Sequence, residues 1–258
     1  MNFPVTVGLP DGHSKLTSTA NINNRTLGTR GVDSAGNVFR WVRNGGTAIA
    51  GGLLTQGLAA PAGADAGQTV ANTSVTGVTT LSLLSTDTSG TVVADYFAGG
   101  TITIDTSPGQ ASYQIADSPG AHVAATTSTA ETIQFTLKEP IREALTSGTS
   151  LAFLRQSKYR DLIVAPGTVT SALVGFTTVA LPANAYGWVQ TAGEGMVKNI
   201  NAATVVNSQL VFAGTSPGEI ERQSNASNST IDDKQVVAWS TDAVATANLY
   251  HTVKITLE

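Results

Sequence analysis

The chain has no cysteine, two methionines and few charges, with 14 Lys and Arg against 18 Asp and Glu making up 12% of its 258 residues. Without cysteine there are no disulfides, no thiol chemistry and no zinc site built on thiolates. No apolar run approaches the roughly 18 residues of a membrane helix, so no span is expected. The opening MNFPVTVGLPDG has no basic stretch followed by an apolar one, so no signal peptide is expected and the chain reads as soluble. A net charge of −4 lacks the basic footprint of a nucleic-acid-binding domain. Glu, Lys, Arg and Leu are too sparse for a coiled coil or a helix bundle.

What is abundant is threonine, with 37 residues, beside 26 Gly and 21 Ser. Threonine favours strands and glycine favours turns, so the composition predicts sheet. At about 150 residues per domain the length allows one or two domains. A chain of this size buries about 70–75% of its unfolded surface, enough for a core of its own.

Three segments alternate with period two, the signature of a strand with one buried face. In 100–105, GTITID, Ile102 and Ile104 share a face against Thr101, Thr103 and Asp105. In 132–139, TIQFTLKE, Ile133, Phe135 and Leu137 oppose Gln134, Thr136 and Lys138. The C-terminal HTVKITLE repeats the pattern with Val253, Ile255 and Leu257. Turn signals fall between such runs, at Asp33–Gly36 and Thr106–Gly109, where Asp or Ser and Gly suit a tight hairpin connection. The spacing predicts a mainly β protein of sandwich-like or barrel-like units of short antiparallel strands, with an extended N-terminal arm and very little helix. One short helix is expected over Glu139–Leu145, with Pro140 at its start.

Three regions are expected: an N-terminal arm and hairpin (1–57), a β unit (58–139), and a second β unit (140–258) carrying a long polar loop at 216–234. The first 57 residues carry five basic and two acidic side chains, net +3; the remaining 201 carry 9 and 16, net −7. Residues 1–25 show little periodicity and read as an arm, and 58–69 as a small-residue linker or flat loop.

Catalytic constellations are not visible. His13, His122 and His251 lack metal-binding spacing and read as surface or packing residues. The segment Gly8–Lys15 resembles a phosphate loop only superficially, since its glycine spacing is one short and Ser precedes Lys. Gly193-Glu-Gly195 lacks the third glycine of a dinucleotide site and reads as a turn. No G-x-S-x-G occurs. Asp232-Asp233 sits in the polar loop, and Asp105–Gly109 has too few acids for a calcium loop. Four Asn-x-Ser/Thr sequons, at Asn24, Asn72, Asn225 and Asn228, are expected by chance in such a composition. Phe39 with Trp41, and Tyr186 with Trp188, share strand faces, while Trp239 stands alone. Core filling is the expectation for them; the alternative is an exposed platform for sugar or protein. The chain therefore reads as non-enzymatic, with no catalytic, cofactor-binding or metal-binding residue.

Several stretches resemble a known family. They are Leu27–Leu54, Tyr96–Ile115, Phe135–Pro166 and Val174–Val197, the last containing Tyr186-Gly-Trp-Val-Gln190 after VGFTTVALPA. Over roughly 100 residues they are similar in style to uncharacterised structural proteins encoded among the head genes of tailed bacteriophages, usually taken as capsid decoration, or cement, proteins. The resemblance implies a non-enzymatic virion protein made in the host cytoplasm and bound to the outer capsid surface. Its partner would be the major capsid protein. It would itself be a homotrimer or another symmetric homo-oligomer, with no direct nucleic-acid or membrane contact. The arm 1–25 would be the segment that reaches a neighbour. The alternative from another class is a carbohydrate-binding or receptor-binding module of a tail, fibre or adhesin, with Trp188 or Trp239 exposed and 216–234 as the reading loop. A third, a β-helical or sandwich hydrolase, has no acid pair to support it.

Overall fold

The computed structural model describes residues 6–59, 68–71, 76–85, 96–105, 110–116, 131–199, 210–222, 235–241 and 249–258. The protein is mainly β: among the described residues 49% are strand and 3% helix, with no helix of seven residues or more. It forms two compact units: a discontinuous one, from 1–58 and 158–258, and an inserted one, 59–157. In chain order the discontinuous unit opens with β1 (Thr6–Gly8), β2 (Thr17–Ser18), β3 (Arg30–Val32), β4 (Val38–Arg43) and β5 (Leu54–Gln56). The insertion holds β6 (Gln68–Val70), β7 (Thr80–Ser85), β8 (Thr101–Ile104), β9 (Ala111–Gln114), β10 (Glu131–Thr136) and β11 (Leu151–Arg155). The chain returns with β12 (Ile163–Val164), β13 (Leu173–Thr177), β14 (Tyr186–Lys198), β15 (Leu210–Ala213), β16 (Ile220–Arg222), β17 (Val236–Ser240) and β18 (Tyr250–Thr256).

These units divide the chain differently from the three expected regions. The stretch 140–157 belongs to the insertion because β11 pairs with β6 and β8. Residues 1–57 are not separate from the C-terminal part, because β4 and β14 are neighbours in one sheet.

In the insertion the antiparallel order is β10-β7-β6-β11-β8-β9. An antiparallel bridge between Ile115 and Leu137 joins the outer strands. Two flanking backbone bonds, Ala116 N to Thr136 O and Lys138 N to Gln114 O, both 2.8 Å, reinforce it. The sheet thus curls into a half-barrel whose outer strands touch at one end. The period-two residues supply the interior: Ile102, Ile104, Ile133, Phe135 and Leu137 are all buried in one apolar cluster. The Thr106–Gly109 turn lies outside the described residues, but the strands it joins pair as an antiparallel hairpin.

The expected helix at Glu139–Leu145 does not form. Ile141 N donates to Val78 O and Gly77 N donates to Ile141 O, both at 2.8 Å, so this backbone extends the ladder beside β7. Ile141 and Leu145 anchor it in the same core. Burial of two apolar side chains outweighs the weak helix propensity of so short a segment.

The discontinuous unit is a twelve-stranded sheet whose main path runs β1-β3-β4-β14-β18-β17-β15-β16. Its hub is the 13-residue β14, which pairs with β4 over Tyr186–Ala192 and with β18 over Ala192–Lys198. The change of partner coincides with a register shift between Gln190 and Ala192. Gly193-Glu-Gly195 therefore lies inside a strand rather than at a turn. Gly193 adopts φ +95°, where a Cβ would strike the Asn37 side chain. Gln190 Nε2 donates to the carbonyls of Ala192 (3.3 Å) and Glu194 (2.7 Å), and Glu194 N donates to Asn37 Oδ1 at 2.9 Å. These bonds satisfy the polar backbone that the irregularity releases. At the β3–β4 hairpin, Asp33 Oδ1 accepts from Ala35 N and Asn37 N, and Gly36 takes φ +84°. The turn residues read from the sequence there do the work expected of them.

The N-terminal arm is built into this unit. β1 lies parallel to β3, Leu9 is buried, and β2 pairs with Tyr186–Gly187. Asn21 Oδ1 accepts a bond from Trp41 Nε1 at 3.0 Å. Arg25 lies over both Trp41 and Trp188, 5.2 and 4.9 Å from their ring centroids. The arm has little core of its own, as expected, with Leu9 alone buried among its described residues, and Trp41 and Trp188 hold it through hydrogen bonding and cation–π contact.

Part of the polar loop expected at 216–234 is a buried strand instead. Glu219 and Ile220 are buried and Ile220–Arg222 form β16. Residues 223–234, including Asp232 and Asp233, lie outside the described residues.

Candidate interaction surface

The aromatic residues separate into two groups. Phe39, Trp41 and Trp188 are buried together with Leu9, and Tyr186 packs against them. Trp41 and Trp188 meet edge to face at 5.1 Å, and Tyr186 stacks on Trp41 at 6.2 Å. Cross-strand register explains the cluster, since Trp41 stands opposite Trp188 and Arg43 opposite Tyr186. Trp188 is thus a core residue and cannot be a platform. Trp239 is different: it is 45% exposed.

Its surroundings follow from register. On β17–β18–β14, Trp239 pairs with Lys254 and Lys254 with Glu194, and the next rows bring Thr252 beside Met196 and Tyr250 beside Lys198. Directly paired residues point to the same side of a sheet. The alternate residues, Val197, Val253 and Ile255, are buried with Ala238 in the opposite core. The first set therefore forms one outward face. Among the described residues eight large hydrophobic side chains are exposed, and three of them, Trp239, Met196 and Tyr250, belong to this face. A fourth, Leu249, stands at the entry of β18. Tyr250 is fixed at one end, where its hydroxyl donates to Gly51 O at 3.1 Å and its ring covers Gly52.

Such a face offers a flat apolar centre with both signs of charge beside it. That composition, with Trp, Tyr and Met accompanied by polar groups, is enriched at protein interfaces. The sequence reading singled out Trp239 but missed Met196 and Tyr250. The signal for Tyr250 was present in the period-two C-terminal strand, because 250, 252 and 254 are the residues left outside when 251, 253 and 255 point in.

The other singled-out residues do not assemble into a site. His13 is exposed on a single 3-10 turn, His251 is buried on β18, and His122 lies outside the described residues. Gly8 ends β1, and only the three-residue 3-10 turn His13–Lys15 follows, so no helix terminus meets a phosphate there. Among the described residues no group of three or more His, Cys, Asp or Glu could hold a metal ion, and no helix is long and apolar enough to cross a membrane. No family model, curated protein or solved structure matches the chain.

Proposed function

We propose that this is a non-enzymatic structural protein of a virion, a decoration or cement protein that binds the outer surface of the major capsid protein shell. The observation that carries this reading is the Trp239–Met196–Tyr250 face, an exposed apolar surface on a rigid sheet. Binding through regular strands places its anchors without ordering a loop, which lowers the cost of association. A standard interface of about 1,600 Å² per copy, repeated over a lattice, would resist the outward pressure of packed DNA. The phage resemblance supplies the partner; the sheet face supplies a means.

Two experiments test it. Quantitative mass spectrometry of purified particles should give one copy per shell subunit or one per three; complete absence from particles would overturn the virion assignment. Trp239→Ala should weaken particle binding at least about tenfold, as loss of a hot-spot aromatic does, with thermal stability changed by no more than about 0.5 kcal/mol.

A second reading is favoured by the same exposed indole: a carbohydrate-binding module in which Trp239 stacks on a sugar ring and Glu194 and Lys254 bond its hydroxyls. A handful of copies per particle, with glycan binding lost in Trp239→Ala, would select it over the first.

A further inference from the structure

A second surface of the discontinuous unit concentrates positive charge. Arg30 stands directly opposite Arg40 across β3 and β4. Like charges in that position repel. Glu258 offsets the repulsion, with Oε1 2.6 Å from Arg40 Nε and Oε2 3.5 Å from Arg30 Nε. The Arg40 guanidinium also lies 6.0 Å from the centre of the Tyr159 ring, and Lys158 Nζ lies 5.1 Å from the same ring. Tyr159 O accepts the backbone N–H of Arg43, whose side chain pairs with Asp161, and Arg160 Nε lies 3.8 Å from Asp161 Oδ2. Arg40 and Lys158 thus flank one tyrosine, and Arg30, Arg43 and Arg160 join them through two carboxylates, Glu258 and Asp161; the five cations and two acids sum to net +3. The rest of the chain then has 14 − 5 = 9 cations and 18 − 2 = 16 acids, net −7, and the two figures sum to −4.

The cluster is accessible. Lys158 is exposed, and the Arg30 side chain keeps 35% of its surface. No carboxylate among the described residues pairs with Lys158. In a chain with 14 cations, five of them stand in this one cluster. Its complement lies in the same sequence. Residues 59–157 contain three cations, Lys138, Arg142 and Arg155, and eight acids, net −5.

We infer that the Arg30–Arg40–Lys158 cluster of one copy receives the acidic inserted unit of a second copy. The contact is heterologous, joining two different surfaces, so each copy offers both a donor and an acceptor and the assembly grows head to tail until it closes. A polyanion such as nucleic acid fits less well, because a chain of net −4 with a −5 unit repels it beyond the cluster. The second copy presents both signs and meets no such barrier. The inference is independent of what the Trp239 face binds.

The test uses the full chain. Sedimentation and light scattering over a range of concentrations should show association at about 50 mM salt that is lost near 500 mM, where charges are screened within a few ångströms. The double variant Arg30→Glu/Lys158→Glu should associate at least about tenfold more weakly while keeping its circular dichroism and melting temperature. A second variant, Asp105→Lys/Glu143→Lys, alters two exposed acids of the insertion and should also stay monomeric. Mixing the two variants should restore a complex, because the intact cluster of one meets the intact insertion of the other and the reversed cluster meets the reversed insertion. A monomer at every concentration in low salt would overturn the inference. So would association that ignores salt and both reversals. Binding of a polyphosphate by a chain that remains monomeric would assign the cluster to a polyanion instead and would equally overturn it.

Discussion

The two units hold together by different chemistry. The inserted unit has one apolar cluster of 15 buried side chains. The discontinuous unit has three smaller clusters. Of the twelve buried polar or charged residues described, only Gln68 and Ser150 belong to the insertion; the other ten, among them Asn44, Gln190 and Glu219, belong to the discontinuous unit. A curled sheet of regular strands pairs most of its own backbone and needs little from its side chains. An open sheet with bulges and short crossing strands leaves carbonyls and amides that side chains must satisfy. The insertion is therefore specified by apolar volume, and the surrounding sheet by hydrogen bonds at particular positions.

The largest expected effect separates these modes at Phe135. It is fully buried and meets Phe97 edge to face at 6.1 Å. Phe135→Ala should cost about 3–5 kcal/mol, seen as faster hydrogen exchange in β7 and β10, and Phe135→Leu should recover part of the loss. In the other unit, Asn44 is fully buried and its Nδ2 donates to the carbonyls of Thr47 (2.9 Å), Leu181 (3.0 Å) and Pro182 (2.8 Å). Asn44→Ala should cost about 2–3 kcal/mol, and Asn44→Leu should recover little, since Thr47 O loses its donor while Leu181 O and Pro182 O keep only the backbone bonds from Ile49 N and Ala185 N. Equal rescue by leucine at both sites would erase the distinction drawn between the units.

A smaller effect tests the bend in β14. Gly193→Ala places a methyl against Asn37 at a left-handed backbone, which should destabilise the discontinuous unit by about 1–2 kcal/mol. The loss should appear in denaturant unfolding and in the exchange of Glu194 N–H, whose acceptor is Asn37 Oδ1. An unchanged midpoint would mean that the bend does not depend on glycine.

The same difference explains which parts of the molecule were legible in the sequence. The buried faces of regular strands could be read directly in both units, because period-two alternation in TITI and TIQFTL of the insertion and in HTVKIT of the discontinuous unit reports burial on one face. The Asp33–Gly36 hairpin was legible from turn chemistry alone. What stayed hidden depends on contacts distant in sequence. Glu139–Leu145 looks helical by local preference, yet Gly77 and Val78 hold Ile141 in an extended ladder. Gly193-Glu-Gly195 looks like a turn, yet Gln190 and Asn37 build it into a strand. Residues 6–25 have no periodicity because their anchors are single contacts, Leu9 in a core, Asn21 on Trp41 and Arg25 over two indoles. At the candidate surface, Trp239 stood out by rarity, whereas Met196 and Tyr250 join it only through the register of β14 and β18.

Charge provides the smallest contrast. Burial alone would raise the Glu258 carboxyl, but the hydrogen bonds from Thr191 and Arg40, with the charges of Arg40 and Arg30, outweigh it and hold the group below the usual glutamate value of 4.5. A lowered carboxylate contributes stability above its unfolded value, and that contribution is lost as pH falls through the lowered one. Glu258→Gln keeps an oxygen for Thr191 and removes only the charge. It should therefore cost no more than about 1 kcal/mol at pH 7 in low salt, because the pair is partly exposed and screened. The difference from the parent chain should fade as pH is lowered from the range above 4.5 to below the depressed value. In the insertion, Glu139 and Arg142 form a pair with 41% and 76% exposed side chains, so Glu139→Gln should change nothing measurable across the same range. Unfolding midpoints of both variants against pH decide the matter: a Glu258→Gln difference that stays constant down to acid would show that geometry, and not charge, joins the C-terminus to β3 and β4.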